Sequence, residues 1–268
     1  MTKELEEYSD KVIGRPIRLN KVRLEIKKQN YAELLLCGDW HYGYPTCLVD
    51  KLMDNLDYCL KKRVYVLLMG DLFEASTKNS VGDVYGQVKT PQEQLEDILE
   101  MLHPLAKKGL IIGLHRGNHE MRIYKDTGID ITKIVARELD VPYLMDACWH
   151  LFSVGDKTYK VYTLHGTSAA RFNYTKMKAL EDVARNVAPA AHMTAMGHVH
   201  EMMVWAEQYQ WVDMKKKTII EPKRFLALSG HYLGYDKSYA QMKGMSLGKV
   251  GSPKIKLYAD KYDIHGSE

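Results

Sequence analysis

Residues 34–41 read LLLCGDWH, a short apolar run that ends in a glycine, an aspartate and a histidine. A continuous apolar run of this length, stopped by turn residues, is typical of a strand buried on both faces. Two similar runs follow, VYVLLMGD at 64–71 and LIIGLHRGN at 110–118. The three runs therefore predict buried strands, each followed directly by polar residues.

Segments of helical length separate these runs. Across 45–62 a leucine recurs every four residues, which keeps one apolar stripe on one side of a helix. Thr90 is placed to cap a second helix over 91–108, and Gly109 is placed to end it. Because strand and helix alternate, we expect βαβ units and a largely parallel sheet whose carboxyl edge carries the polar residues.

The second half of the chain is richer in strand-like segments. Apolar stretches on either side of Gly155-Asp156 predict a hairpin, and tyrosine-rich stretches predict later strands. The expected elements are the hairpin 149–154 and 158–164, the helix 174–186, and strands at 202–211, 217–228 and 255–262. The expected fold is α/β, a four-layer α-β-β-α sandwich of two stacked mixed sheets flanked by helices.

Length and composition favour one domain. The chain has 268 residues, enough for one large core, and no change of composition marks a boundary. We expect a single domain over 31–268, which includes a basic, Gly/Tyr-rich region from about residue 230 to the end. The strongly charged segment 1–30 is expected to be an N-terminal, helical arm, and a homo-oligomer contact there is an open alternative.

Five short clusters of polar residues beside glycines form a complete ligand set for two metal ions. Two cations about 3.5–4 Å apart need a shared anionic ligand, several further ligands each, and open positions for water and phosphate. The spacings Asp-x-His and His-x-His would place both side chains on the same side of an extended segment. The candidate ligands are Asp39, His41, Asp71, Asn118, His165, His198 and His200.

In this order the clusters resemble the motif series of the calcineurin-like metallophosphoesterases, which is D-x-H, G-D-x-x-[DE], G-N-H-[DE], a lone His and G-H-x-H. The resemblance implies a metal-dependent phosphoric ester hydrolase in which a metal-bridging hydroxide attacks phosphorus in line. It also implies that one metal is bound by Asp39, His41 and His200, the second by Asn118, His165 and His198, and that Asp71 bridges them.

The resemblance gives catalytic roles to further residues. The family residue matching His119 is not a ligand; it faces the scissile phosphate and assists departure of the leaving oxygen, as an imidazole with a pKa near neutrality can do. Glu74 matches the carboxylate that pairs with this histidine in the phosphoprotein phosphatase branch. Arg116 directly precedes G-N-H-E and could bind phosphate through its planar guanidinium. A solvated arginine at a strand end is the alternative for Arg116.

The second motif bears on the substrate. The phosphoprotein phosphatase branch has an arginine there that clamps the phosphate, whereas Ala75 and Ser76 stand in this chain. The sequence GDLF at 70–73 instead resembles the Mre11/SbcD-type nuclease branch. The leading expectation is therefore a phosphodiesterase, either a nuclease or a nucleotide phosphodiesterase, of a prokaryote or phage. Arg116 favours the alternative, a phosphomonoesterase of the protein-phosphatase kind, and a catalytically idle binding scaffold is a third possibility.

Charge adds a limited indication of a partner. The net charge of +4 is too small to indicate nucleic-acid binding by itself. The C-terminal third is basic, and its tyrosines could stack the bases of DNA, RNA or a nucleotide; alternatively, its lysines protect a sheet edge from pairing with other chains. The tyrosines are Tyr232, Tyr235, Tyr239 and Tyr258, and the loops expected near the substrate are 75–89 and 230–251.

The donor set predicts the cofactor class without choosing the metal. We expect two divalent ions per chain, with Mn favoured and Fe, Zn, Ni or Mg as alternatives. The six histidines outside the motifs are expected to lie on the surface or to be locally hydrogen-bonded; they are His103, His115, His150, His192, His231 and His265.

Cysteine usage and hydropathy bear on the compartment. The four cysteines show no C-x-x-C spacing, which predicts free thiols in a reducing compartment. The chain has no apolar signal region and no apolar run long enough to span a bilayer. We therefore expect a cytoplasmic protein without a membrane partner.

Overall fold

Two six-stranded sheets form the framework of the protein. The computed structural model describes residues 19–26, 29–79, 85–168, 170–236, 238–242, 244 and 247–268. Within them the strands are β1 (Leu19–Leu24), β2 (Tyr31–Cys37), β3 (Tyr65–Leu68), β4 (Ile111–His115), β5 (Tyr143–Met145), β6 (Ala147–Val154), β7 (Lys157–Leu164), β8 (Met193–Met196), β9 (Met202–Gln208), β10 (Trp211–Asp213), β11 (Thr218–Ile220), β12 (Lys223–Ser229), β13 (Lys254–Tyr258) and β14 (Ile264–Ser267). The helices are α1 (Val49–Lys62), α2 (Pro91–Lys107), α3 (Glu120–Thr127), α4 (Ile131–Glu138), α5 (Asn173–Asn186) and α6 (Tyr239–Met242).

Both large sheets are mixed. The first sheet has the order β14-β13-β2-β3-β4-β5, in which β2 to β5 are parallel and β13 and β14 are antiparallel additions. The second sheet has the order β1-β6-β7-β8-β12-β9 and contains both kinds of pairing. Strands β10 and β11 form a separate two-stranded hairpin.

Alternating side chains of the strands fill three apolar layers. On β2, Leu35 points toward α1 and α2, whereas its neighbours Leu34 and Leu36 point into the space between the two sheets. The second sheet contributes Phe152 to that central layer. Helix α5 covers the outer face of the second sheet through Leu180 and neighbouring residues. The predicted four-layer α-β-β-α sandwich is therefore confirmed.

The predicted helix boundaries are confirmed where capping residues signal them. Helix α2 begins at Pro91 after a capping box in which the Thr90 hydroxyl and the Glu93 carboxylate bond each other's backbone N–H groups. Helix α1 begins only at Val49, four residues later than expected. Residues 44–48 form turns instead, and the Leu48 N–H donates to the Tyr232 carbonyl.

The structure differs from expectation in several elements. Residues 19–24 form β1, a parallel partner of β6, so the expected helix is wrong there; residues 1–18 lie outside the described part of the chain. Charged and apolar residues alternate with period two in KVRL at 21–24, which suits a strand. The strand expected over 217–228 is divided at Pro222, which has no N–H to donate. The eight-residue helices α3 and α4 were not predicted, since each is too short to show a clear apolar stripe.

Within the described ranges, none of the helices combines the length and the apolar character needed to cross a bilayer. The four cysteines are all free thiols, as predicted.

Candidate metal centre

The predicted ligands follow the carboxyl ends of strands in both sheets. Strands β2, β3 and β4 of the first sheet and β7 and β8 of the second lead into them. Three groups of potential ligand atoms result, each contained within 4.8 Å: Asp39, His41 and His200; His41, Glu74 and His119; and Asp71, His165 and His198.

Tight turns, not the strands themselves, aim most of these side chains. Strand β2 ends at Cys37 and β8 at Met196, before any ligand is reached. The expectation that strand alternation brings Asp-x-His and His-x-His together is therefore wrong. Non-glycine residues with positive φ are uncommon and cluster at functional sites. Five of the predicted ligands have positive φ, namely Asp39 (52°), His41 (48°), Asp71 (50°), His198 (68°) and His200 (49°).

In the first group, donor atoms of Asp39, His41 and His200 lie close together. The Nε2 atoms of His41 and His200 lie 2.9 Å apart, and Asp39 Oδ1 lies 3.4 Å from His200 Nε2. Burial lowers the pKa of His41 to about 4, so its ring is neutral at pH 7. A neutral imidazole is the form that binds a metal. Asp39 is held from behind, because its carboxylate accepts hydrogen bonds from the His198 N–H and the Ser229 hydroxyl.

The second group is built around His165. Its Nδ1 donates to the Met69 carbonyl over 2.8 Å, which turns Nε2 toward Asn118 Oδ1 at 3.1 Å and Asp71 Oδ2 at 3.3 Å. Burial lowers the pKa of His165, but the charge of Asp71 outweighs that effect and raises the pKa to about 10. The pocket therefore favours a positive charge at this point. Nδ1 of His198 is buried and has no hydrogen-bond partner among the described residues.

Asp71 lies between the two groups. Its Oδ2 is 3.3 Å from His165 Nε2 and 4.0 Å from His41 Nε2, and its Oδ1 accepts a hydrogen bond from the backbone N–H of His119. Burial opposes ionisation of this carboxyl, but the neighbouring imidazoles, His165 first, hold its pKa well below the usual value. A buried carboxylate with an oxygen facing both groups has the placement that a bridging ligand needs.

These residues fit two divalent cations. The donors are mixed imidazole, carboxylate and amide groups, the set that suits Mn, Fe or Zn. The short distance between two imidazole nitrogens and the unpartnered nitrogen of His198 are both explained by cations that the side chains would share.

Glu120 fixes the loop that carries Asp71 to the loop that carries Asn118. Its buried carboxylate accepts hydrogen bonds from four backbone N–H groups, those of Asp71, Leu72, Phe73 and Gly117. Burial, reinforced by the charge of Asp71, raises the pKa of Glu120 to about 7. The approach is so close that a Cβ atom on Gly117 would lie 2.1 Å from Asp71 Oδ1.

His119 and Glu74 lie together beside the first group. His119 Nδ1 donates to the Glu74 carbonyl over 2.9 Å and lies 3.3 Å from Glu74 Oε2, which is also 3.4 Å from His41 Nδ1. Although burial opposes it, hydrogen bonds to His119 and His41 hold the pKa of Glu74 well below its usual value. Glu74 therefore contacts both rings and can orient them.

Arg122 was missed by the sequence analysis. Its guanidinium donates to His119 Nε2 over 2.8 Å and to the carbonyl and carboxylate of Glu74 over 3.0 Å and 3.3 Å. It reaches His119 because residues three apart share one face of a helix, and His119 is the N-cap of α3. A prediction of α3 from the sequence would have revealed this arginine.

Arg116 lies elsewhere. Its guanidinium donates to Asp146 over 3.0 Å and to Asp130 over 3.5 Å and lies against the ring of Tyr124. None of its hydrogen bonds within the described ranges involves a residue of the metal centre. The Arg116 side chain is only 10% exposed, so the solvated arginine of the alternative does not describe it. Phosphate binding by Arg116 stays a prediction.

The tyrosines of the basic region do not form one surface. Tyr232 is fully buried, and its hydroxyl contacts Asn55 and Ser252. Tyr258 pairs with Tyr31 at the amino end of β2, whereas the metal centre lies beyond the carboxyl end of that strand. Buried Tyr232 cannot stack a base, so that part of the expectation is wrong. Base stacking by Tyr235 and Tyr258 beside the basic residues stays a prediction, and the side chain of Tyr239 lies outside the described part of the structure.

The family model of the calcineurin-like phosphoesterases matches residues 32–243. The chain belongs to this family. Two solved structures each align over 88% of this chain and 88% of their own length: a metallophosphoesterase from Sphaerobacter thermophilus, 12% identical with a TM-score of 0.39, and GAP50, the anchor in the inner membrane complex of Plasmodium, 11% identical with a TM-score of 0.42. No curated protein matches the sequence.

Membership defines the general chemistry of this calcineurin-like phosphoesterase. The family implies a metal-dependent hydrolase of phosphoric esters that uses a dinuclear centre, and the groups around His41 and His165 are its candidate ligand clusters.

Proposed function

We propose that this protein hydrolyses phosphodiester bonds, with DNA, RNA or a nucleotide as substrate, at two divalent ions held by the predicted ligands. The observation that carries the dinuclear part is the position of Asp71, whose Oδ2 lies within 4.0 Å of a histidine nitrogen from each group. Asp39, His41 and His200 would hold one ion, and Asn118, His165 and His198 the other. Manganese is the metal we expect to support turnover.

When bound, the ions supply an activated water and neutralise phosphate charge. The chain's own residues account for the rest of the site. His119 Nε2 and the Arg122 guanidinium face each other over 2.8 Å. A phosphate oxygen that entered between them would accept from the guanidinium, and His119, protonated on Nε2 as well as on Nδ1, would transfer the Nε2 proton to the leaving oxygen. Glu74 fixes both partners, because it accepts from His119 through its carbonyl and from Arg122 through its carbonyl and carboxylate.

The preference for diesters rests on the residues after Glu74. Ala75 is buried, and the Ser76 hydroxyl is turned inward to donate to Glu74 Oε1 over 2.9 Å. Neither provides the second cationic contact that a dianionic monoester favours. Arg116, the residue that favoured a phosphomonoesterase, is paired with Asp130 and Asp146.

Exposed aromatic side chains at the start of α5 support a nucleic-acid or nucleotide substrate. Phe172 and Tyr174 are 70% and 74% exposed, and Arg171 beside them is exposed as well. Phe172 follows His165 by seven residues and Tyr174 by nine. Aromatic rings next to a cation suit stacking of bases without regard to sequence.

Two substrates of matched chemistry test the diester proposal. The ratio of kcat/KM for bis(p-nitrophenyl) phosphate to that for p-nitrophenyl phosphate, measured with added Mn, should exceed one. Nicking of single-stranded or double-stranded DNA should then identify a nuclease, with Asp71→Ala as the inactive control. A clear preference for the monoester would overturn the proposal.

A further inference from the structure

Two buried histidines share one threonine hydroxyl in the layer between the sheets. His115 is the last residue of β4 in the first sheet, whereas His150 and Thr163 lie on β6 and β7 of the second. The Thr163 hydroxyl oxygen lies 2.6 Å from Nε2 of His115 and 2.7 Å from Nε2 of His150. All three residues are completely buried, so no solvent replaces these contacts.

The hydrogen bonds of this group can be formed in only one direction. Nδ1 of His115 lies 2.9 Å from the Met145 carbonyl, which can only accept, so Nδ1 carries the proton. Nε2 of His115 must then accept the single hydroxyl proton of Thr163. The hydroxyl has no second proton, so Nε2 of His150 must donate to it. Nδ1 of His150 is left to accept from the Asn20 side-chain amide, which lies 3.5 Å away.

The result is a series of hydrogen bonds that runs from Asn20 on β1 to the Met145 carbonyl on β5, with each member donating to the next. Asn20 also donates to the Ile112 carbonyl of β4 over 3.1 Å. Both ends of this series of hydrogen bonds are therefore attached to the first sheet, at Ile112 on β4 and at Met145 on β5. Burial lowers the pKa of His115 to about 4 and that of His150 to about 3. Both rings are therefore neutral at pH 7, as the arrangement requires, but with the proton on opposite nitrogens.

This series of hydrogen bonds lies at the strand ends that lead into two of the predicted ligands. Asn118 follows His115 by three residues, and His165 follows Thr163 by two. Asn118 comes from the first sheet and His165 from the second, yet Asn118 Oδ1 and His165 Nε2 lie 3.1 Å apart. The bond from Thr163 to His115 joins the same two strands just before they end, so it sets the distance between the loops that carry the two ligands.

We propose that Thr163 is a positioning residue: its hydroxyl, bridging His115 and His150, holds the two sheets at the spacing at which Asn118 and His165 face one cation. The effect on metal binding rests on the proposed function, whereas the arrangement of protons does not.

The second sheet supplies a matched control. Thr194 lies on β8, next to β7, and is also completely buried, but its hydroxyl has no hydrogen-bond partner among the described residues. Replacement of either threonine by valine removes a buried hydroxyl at nearly constant volume. Only at Thr163 does the change leave two imidazole nitrogens without a partner.

Metal binding by four variants tests the positioning role. Mn titration of Thr163→Val and Thr163→Ala should show one of two binding steps weakened by at least about tenfold, as expected when a residue that supports a ligand is removed. Thr163→Ser, which keeps the hydroxyl, and Thr194→Val should both bind two ions like the unchanged protein. Wild-type binding by Thr163→Val or Thr163→Ala, or equal weakening in Thr194→Val, would overturn the proposal.

The proton arrangement is tested on the unchanged, metal-free protein. Nitrogen-15 NMR should find His115 as the Nδ1–H form and His150 as the Nε2–H form. The same form at both rings would overturn the chain of hydrogen bonds even if no variant folded. If the protein bound no metal while the NMR result held, the proposed function would fail and the hydrogen-bond chain would stand without its link to the metals.

Discussion

Arg122 donates a hydrogen bond to Nε2 of His119 over 2.8 Å. If this guanidinium contacts the phosphate, Arg122→Gln should lower turnover by about 10²-fold, the usual loss when one donor to developing charge is removed. Metal content should not change, since none of the predicted ligands bonds to Arg122. Inhibition by inorganic phosphate should weaken in parallel.

Arg116→Gln is the matched control for that substitution. Its partners Asp130 and Asp146 lie outside the metal centre, so turnover should stay within a few-fold of the unchanged protein while the free energy of unfolding falls by roughly 1–2 kcal/mol. If Arg116→Gln abolished turnover and Arg122→Gln did not, the two arginines would have been assigned the wrong way round.

Asp71 and His119 should separate metal binding from catalysis. His119→Ala should keep both ions and lose about 10²–10⁴-fold in turnover, as expected for a general acid. It keeps the hydrogen bond to Asp71, which comes from the His119 backbone. Asp71→Ala should lose metal as well as turnover. Elemental analysis of both variants checks this, and equal metal loss in the two would refute the assigned roles.

Gly117 should tolerate no side chain. A Cβ there would lie 2.1 Å from Asp71 Oδ1 and 2.3 Å from Asp71 N, so Gly117→Ala should displace the Asp71 loop and abolish tight metal binding. Gly109 has a positive φ of 65°, but a Cβ there would meet nothing within 4 Å. Gly109→Ala should therefore cost only about 1 kcal/mol of backbone strain and keep the metals. Mn titration and urea unfolding measure both effects; normal metal binding by Gly117→Ala would contradict the structure.

The buried His150 should make stability depend on pH. Burial lowers its pKa from 6.5 to about 3 in the folded protein, so the unfolded chain binds the proton more readily. The free energy of unfolding is therefore highest above pH 6.5, and it falls as the pH drops toward the pKa that His150 has in the folded protein. Between pH 6.5 and 5 the loss should be on the order of 2 kcal/mol.

The comparison with His150→Asn isolates this contribution. The variant is less stable at pH 7, but it lacks the titrating ring, so the difference in unfolding free energy between the two metal-free proteins should narrow as pH falls to 5. Urea unfolding at the two pH values measures it. A constant difference would mean that His150 is not buried as a neutral ring.

Local sequence signals predicted the elements that they directly control. The Thr90-Pro91 pair fixed the start of α2, and the apolar runs before Asp39 and Asp71 gave the buried strands. The motif order predicted seven ligands whose side chains lie close together in the fold. The left-handed backbone at Asp39 and His41 could not be read from an Asp-x-His spacing. The side chains of Asp39 and His41 do meet, but tight turns aim them and the alternation of side chains along a strand does not.

Long-range geometry explains what the sequence did not reveal. Arg116 and Arg122 flank the same motif, and only the turn into α3 decides which of them reaches His119. His115 and His150 resembled isolated histidines because their shared partner, Thr163, lies on another strand. A sequence shows which residues can bond but not which strands will bring them together.

The number of ions bound per chain tests the central claim most directly. Purified protein incubated with Mn and freed of excess metal should contain two ions per chain by elemental analysis, and their removal by a chelator should abolish phosphoester hydrolysis. A protein that binds one ion or none under these conditions, or that hydrolyses phosphoesters equally well without metal, would contradict a dinuclear centre around Asp71.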